Sequence, residues 1–588
     1  MHKVSRVRVE NFRCCANVTI ELDTFTPLIG PNNVGKSTLL SALSWALEPA
    51  SLGLNDFGDV NKPVQVEILA TGLDATTVGR LDPGHQKKAT QYLNNETILI
   101  RRTCDQPEAK SRVEFRDPKV ASESDPDAWA VNPTGIWNAI KALFPSPIRI
   151  GAMVDAAEDA SKNKSTTTLG QLIAEIAGDV TSQVAPTFKK LVDGISDQLS
   201  ADGSARPSEL TDFDQEASLA LQDFFQGVSL KLHISCPSLS DLFKSGTLFL
   251  YDGNTKRPFT SMGHGAQRAV QMALVRVLAD RQTRQGGSSQ GTKLLLIDEP
   301  ELYLHPNATY TLRDALRKLS ASGYQVVFTT HSPMMVEEAV AESTAIVGKD
   351  ASKGTFVRPT IKAAVANAIK SAPHQASHLF SLNHASEILF ANKVIIAEGK
   401  TERRLLPELF REIRGASARS LGIATVSIDG VAGAAKTREI LTSLGLESKI
   451  IADLDYAFRG AISAGWIQNT DSDIIQCKKL LKTLQATYGW KLDADGLPEG
   501  NKAMSAAAIF EGLARDSTAA TAIKSLHQKL LNHNVWVWTR GAIEPHLGIA
   551  SKKEHAFAQF LSDVKTNGAR ATISDYASVE SCLSWMAS

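Results

Sequence analysis

The spacing of apolar residues changes several times along this chain, and each change marks an element. Val4, Val7 and Val9 sit in an alternating stretch that predicts a first strand, and "TFTPLIG" ends a second. Ser37 to Leu47 has the spacing of a helix, and "VQVEILATGL" and "ETILIRRT" read as further strands. After a polar break at 156–168, apolar residues recur at Leu172, Ile176, Val180, Val184, Phe188, Leu191, Ile195 and Leu199. That three-and-four spacing predicts a long helix with one apolar face, kinked at Pro186. "SARPSELTDFDQEASLALQDFF" predicts another helix, and "TRQGGSSQGT" at 283–292 a loop. "KLLLI", "VVF", "NKVIIA" and "SKIIA" are short continuous apolar runs, the mark of strands covered on both faces.

Alternating strands and helices of this kind predict an α/β protein of several parts. Residues 1–150 and 236–390 read as two pieces of one α/β domain. Residues 151–235 read as a helical insertion, either a packed arm or a dimerisation arm. Residues 391–588 read as a second α/β domain. With 63 basic and 63 acidic residues, net charge carries no nucleic-acid signal, so any basic track must be local. The six cysteines form no CxxC pair, which argues against a zinc module and suits a reducing compartment. No apolar run approaches membrane-spanning length. A cytoplasmic protein with no membrane partner is expected.

"GPNNVGKST" (Gly30 to Thr38) fits the phosphate-binding pattern G-x-x-x-x-G-K-[ST] between a strand and a helix. Gly30, Asn33 and Gly35 shape a loop whose amides face phosphate. Lys36 reaches the outer phosphates, Ser37 ligates Mg2+, and Thr38 continues the cradle. In "LLLIDEPE", Asp298 ends a buried strand as a second Mg2+ holder, and Glu299 is placed to polarise the attacking water. ATP is the cofactor these residues call for. Two further elements resemble the ATP-binding-cassette family. "SMGHGAQRA" stands where that family carries its signature loop, with Ser261 and Gly263 as candidate phosphate contacts for a second subunit. "VVFTTHSP" places His331 as the switch histidine. Asn11-Phe12-Arg13 resembles a turn of the RecF and SMC branch, with Arg13 either a phosphate contact or a surface arginine. Cassette sites close across two protomers, so the resemblance implies a homodimer or higher homo-oligomer.

A second constellation is acidic. Glu398 ends "NKVIIA", Gly399 permits a turn, and Glu402 falls in the first turn of a helix carrying Leu405, Leu406, Leu409, Phe410 and Ile413. Asp453 and Asp455 alternate just past the strand "SKIIA", and Asp429 after "TVSI" is a further candidate. Such carboxylates repel one another unless cations sit among them or some stay protonated. Oxygen ligands favour Mg2+ or Mn2+ over zinc. The bland reading, an exposed salt-bridging turn, weakens when both elements stand at strand ends in this order.

This segment resembles the Toprim domain. The order of cassette ATPase then Toprim resembles the OLD (overcoming lysogenization defect) family of endonucleases, with the Gabija defence nucleases as relatives in kind. The resemblance implies an ABC-type P-loop ATPase with a helical insertion, followed by a C-terminal Toprim domain. It implies metal-dependent hydrolysis of DNA at Glu398, Glu402, Asp453 and Asp455. Glu544 in "RGAIEPHL" resembles the family's later acidic ligand. Lys552, Lys553 or Lys565 stands for its catalytic lysine, Lys552 first. A companion protein and a role in anti-phage defence are implied by the family alone. Arg403, Arg404, Arg411, Arg414 and Arg419 either track DNA phosphates or pair with neighbouring acids. Trp536 and Trp538 either stack bases or, given strand alternation, lie at least partly in the core. An alternative from another class is an ATP-driven DNA-repair or clamp-like protein with a degenerate Toprim site; the intact carboxylate set speaks against it.

Overall fold

A computed structural model describes residues 2–79, 81–120, 122, 125–131, 136–141, 143–151, 178–222, 227–236, 248–284, 293–336, 343–350, 353–359, 388–427, 433–501 and 504–588. Leu172, Ile176, the polar break at 156–168, residues 285–292 and Asp429 lie outside them, as does the side chain of Val180. The chain divides into two compact units. One holds Met1–Leu28, Asn33–Met335 and Lys349–Phe356; the other holds Ile29–Asn32, Val336–Gly348 and Val357–Ser588. No helix among the described residues is long and apolar enough to cross a membrane.

The first unit contains a six-stranded antiparallel sheet in the order Cys15–Glu21, Lys3–Phe12, Val64–Thr71, Ile98–Cys104, Arg112–Arg116, Trp129–Val131. Val64, Val66, Ile68 and Ala70 are buried on alternate positions, as period two requires. In Lys3–Phe12, Val4 and Val7 are three residues apart, yet both are buried with Val9. A register shift between Val4 and Arg6 against the neighbouring strand absorbs the extra residue.

A parallel set follows in the same unit. Lys293–Ile297 lies between Ser146–Ile150 and Tyr324–Thr330, and Leu294 to Ile297 are fully buried. The helix Lys36–Leu47 starts at Gly35, and the helix His264–Arg284 starts just past Ser261. Gly178–Leu199 is helical through Pro186, and Ser208–Gln222 is the second helix expected there. Val184, Leu191, Ile195, Phe213 and Leu219 on these helices are exposed.

The second unit is built on a parallel four-stranded sheet in the order Ile423–Ser427, Lys393–Ala397, Glu447–Ala452, Val535–Val537. The helix Lys400–Arg414 buries Leu405, Leu406, Leu409 and Phe410 against a core that includes Ile395, Ile451, Phe557 and Leu583. Each such side chain contributes about 2 kcal/mol of burial. The helix ends on Gly415, at a φ of 70° that suits glycine. Because the strands are parallel, all their C-terminal ends lie on one edge, where α/β sheets hold ligands.

Candidate functional sites

The phosphate loop carries the backbone its sequence predicts. Gly30, Asn33 and Gly35 have φ of 146°, 62° and 103°. A Cβ on Gly35 would lie 2.6 Å from Thr355 Oγ1 and 2.9 Å from Cys14 Sγ, so space as well as conformation demands glycine. Thr355 Oγ1 donates to Val34 O at 2.8 Å, and Cys14 Sγ lies 3.5 Å from Thr38 Oγ1. Ser37 Oγ donates to Asp298 Oδ1 at 2.9 Å, which joins the two residues assigned to Mg2+. Asp298 also accepts from the Thr329 hydroxyl. Burial pulls the Lys36 ammonium down to about 8, against the opposing pull of Glu299, Asp298 and Glu301. At neutral pH the lysine is charged, as phosphate binding requires.

Glu299 has a φ of 46°, left-handed for a residue with a side chain, at a cost of about 1 kcal/mol. Its amide donates to Thr329 Oγ1 at 3.0 Å, and its carbonyl accepts from Arg268 Nη2 at 2.8 Å. Its carboxylate lies 3.4 Å from His331 Nε2. Burial, aided by the Lys36 charge, holds His331 below its ordinary value, so the ring is neutral at pH 7. Glu301 fixes the turn beneath, accepting from Thr330 Oγ1 at 2.6 Å and from the His331 amide at 3.0 Å. Burial raises its own carboxyl.

Ser261 is exposed and donates to Pro258 O at 2.8 Å, while a Cβ on Gly263 would meet nothing within 4 Å. Arg13 stands in a left-handed turn, with Nε 2.9 Å from Asp56 Oδ1. Asn11 beside it donates to Asp59 O and Lys62 O at 2.8 and 2.7 Å.

The acidic residues gather at the C-terminal edge of the parallel sheet. Glu398 follows Lys393–Ala397, Asp453 and Asp455 follow Glu447–Ala452, and Glu544 follows Val535–Val537 in the short helix Ile543–Leu547. Glu398 Oε2 accepts from the Asp453 amide at 3.2 Å. Glu402 and Glu544 are only 2% and 5% exposed. Thr401 Oγ1 donates to Glu544 Oε1 at 2.6 Å. Lys552 Nζ stands 3.3 Å from Glu544 Oε2 and 3.9 Å from Asp453 Oδ2.

Charge crowding is visible in the acidities. Burial first, then Asp455 and Asp453, pushes Glu398 up to about 8. Burial, with Glu544 and Glu398 adding to it, pushes Glu402 up to about 7. Burial and neighbouring carboxylates hold Asp453 well above the usual range, and burial alone raises Asp455. Burial pulls Lys552 down, but Asp453 and Glu544 outweigh it, and it is raised.

Gly399 does not supply a sharp turn: its φ of −112° is open to any residue. Its need is room, because a Cβ there would collide with the Glu402 carboxylate.

Asp453 Oδ1 and Asp455 Oδ1 are buried without a hydrogen-bond partner. Oxygen-only donors carrying excess negative charge and orphaned lone pairs fit a hard divalent cation in kind. Among the described residues no three His, Cys, Asp or Glu side chains are already drawn together around an ion position.

Among the other sequence candidates, Lys553 and Lys565 are exposed at the start and last turn of the helix Glu554–Asn567. Arg404 pairs with Glu554 at 2.8 Å and Arg411 with Glu408 at 2.7 Å, while Arg414 donates to Ser584 at 3.2 Å. Trp536 and Trp538 are 7% and 0% exposed, so both belong to the core and neither is available to a base. Sequence reasoning missed Thr401, Thr329, Glu301 and Arg268. Thr401 lies inside the "EGKTE" motif, and Arg268 inside "SMGHGAQRA"; their partners are remote in sequence.

Residues 2–128 and 153–336 match the AAA ATPase domain family, and residues 389–455 match the family described as overcoming lysogenization defect protein-like, TOPRIM domain. The chain is 32% identical over 599 residues to the Old nuclease of Escherichia phage P2, covering 99% of this chain and 100% of that one. It is 23% identical to the OLD nuclease of Thermus scotoductus, over 77% of this chain and 82% of that one. It is also 23% identical to endonuclease GajA of Bacillus cereus, over 70% and 68%. An ATPase domain with an assembled phosphate loop, a TOPRIM domain with clustered carboxylates, and end-to-end similarity to Old nuclease agree: the chain belongs to the OLD nuclease family.

Proposed function

We propose that this chain is an ATP-hydrolysing, Mg2+-dependent endonuclease or nickase that acts on DNA. The observation that carries the reading is the gathering of Glu398, Glu402, Asp453, Asp455 and Glu544 with Lys552 at one edge of a parallel sheet. These five carboxylates would hold Mg2+, with Mn2+ as a substitute. Such ions supply an acidified water and stabilise charge at the phosphodiester. Lys552, charged at neutral pH, offsets negative charge on the transferring phosphate. Thr401 keeps the Glu544 carboxylate in one orientation, and Glu398 must give up its proton before it can ligate.

In the ATPase domain, Gly30, Asn33, Gly35, Lys36, Ser37 and Thr38 cradle the phosphates, and Asp298 shares the Mg2+ with Ser37. Glu299 polarises the attacking water, and His331 reads the γ-phosphate. Ser261 and Gly263 complete the site of a second copy, and Arg13 adds a phosphate contact. The active form is therefore a homodimer or larger homo-oligomer, to which the helical insertion 151–235 contributes. The ATP state gates DNA cleavage. A place in anti-phage defence, with a companion protein, follows from the family resemblance.

Plasmid nicking in Mg2+ or Mn2+ tests the reading. Wild-type protein is expected to cut, and Glu398→Ala and Asp453→Ala to reduce cutting by about a hundredfold or more. Cutting that survives both substitutions would remove the site. RNA run alongside separates a ribonuclease. Lys36→Ala should stop ATP hydrolysis, and Glu299→Gln should slow it to a small residual rate.

A further inference from the structure

Gln267 and Arg268 stand side by side in the first turn of the helix His264–Arg284, just after the loop that carries Ser261 and Gly263. Their side chains serve different ends of the nucleotide machinery. Gln267 Nε2 donates back into the loop, to Met262 O at 3.0 Å and Phe259 O at 3.3 Å. Arg268, 3% exposed, reaches the turn after Lys293–Ile297. Its Nη2 donates to the carbonyls of Asp298 and Glu299, the second at 2.8 Å. Its Nη1 donates to Gly151 O at 3.0 Å and Gln271 Oε1 at 3.3 Å. The Asp298 amide donates to Ile150 O at 2.9 Å, so the guanidinium spans the ends of two neighbouring strands.

A buried cation is costly unless its donors are satisfied, and an apolar side chain would fill the same space at less cost. What a guanidinium adds is a planar fork that grips several carbonyls at fixed angles, which an ammonium cannot reproduce. The carbonyls gripped belong to the turn where Glu299 is left-handed and faces His331.

We propose that Arg268 is a positioning residue for ATP hydrolysis: it holds the Glu299 main chain in the conformation that aims its carboxylate. Through Gln267 it ties that conformation to the loop Ser261–Gly263. This rests on Glu299 acting on the attacking water. A nucleotide engaging the loop then moves, through one helical turn, the acid on which hydrolysis depends.

The test measures steady-state ATP hydrolysis and equilibrium binding of a fluorescent ATP analogue on the full chain. Arg268→Met should lower kcat about tenfold or more while the Kd for nucleotide stays within about threefold. Arg268→Lys should recover only part of the rate. In the Glu299→Gln background, Arg268→Met should add no further loss, because its effect runs through that acid. Gln267→Met should lower kcat without weakening nucleotide binding. An unchanged kcat in Arg268→Met, or a loss fully additive to that of Glu299→Gln, overturns the proposal. If Arg268→Met does not fold by circular dichroism, Arg268→Lys decides by the same comparison. Wild-type hydrolysis by Glu299→Gln would remove the acid's role and the proposal with it. A slow Glu299→Gln beside an unaffected Arg268→Met overturns the proposal alone.

Discussion

A carboxylate buried among others keeps its proton to unusually high pH, and Glu398 does so to about 8 against an ordinary 4.5. The folded chain therefore binds this proton more tightly than the unfolded chain. The stabilisation is full below 4.5 and is lost as pH rises through 8. Melting in a chelator should thus fall between pH 5 and pH 8.5. Glu398→Gln, which mimics the protonated acid, should flatten most of that fall. Identical pH profiles for the two proteins would contradict this. Gly399→Ala should cut nuclease activity about tenfold or more with the fold intact by circular dichroism, because the new methyl displaces the Glu402 carboxylate; wild-type cutting would show that Glu402 has room to spare. Glu398 and Asp453 were legible as single residues because each follows an apolar run. The bond from Thr401 to Glu544 was not, since 143 positions separate the two.

Elements hold these residues in place through ordinary packing. Glu402 rides on the helix Lys400–Arg414, whose Leu409 is fully buried. Leu409→Ala should cost about 2–5 kcal/mol in urea unfolding. It should also weaken Mn2+ binding measured by calorimetry; a stability loss with unchanged binding would show that Glu402 is fixed by other contacts. In the first unit, Gly35→Ala should abolish binding of a fluorescent ATP analogue. Its φ of 103° and the nearness of Thr355 and Cys14 leave a side chain no place. Element types were readable where period and burial agree, as in Val64–Thr71. The strand Lys3–Phe12 needed its register shift to reconcile Val4 with Val7, and a shift depends on the neighbouring strand. Trp536 and Trp538 stand two positions apart, so strand alternation turns both rings to one side. That side is the core: both rings belong to one buried cluster and pack edge to face, 5.9 Å between centroids.

At the scale of the molecule, an ATPase domain and a TOPRIM domain follow one another along one chain. Lys36→Ala should stop ATP hydrolysis while leaving Mn2+ binding by calorimetry unchanged, and Glu398→Ala should do the reverse. Loss of both functions in either variant would mean that the domains do not fold separately. The order of the two domains was legible because each motif is local. Neither the grip of Arg268 on Asp298 and Glu299 nor the approach of Lys552 to Asp453 was, because tertiary folding creates them. The edge strand Val535–Val537 docks on Glu447–Ala452, and Glu544 and Lys552 come only after it. A nascent chain that has emerged as far as Leu531 already owns its phosphate loop, Glu398 and both aspartates, yet lacks the strand, the acid and the lysine that complete the cutting edge. The acidic edge is thus completed last in synthesis, by an acid and a lysine that follow the edge strand.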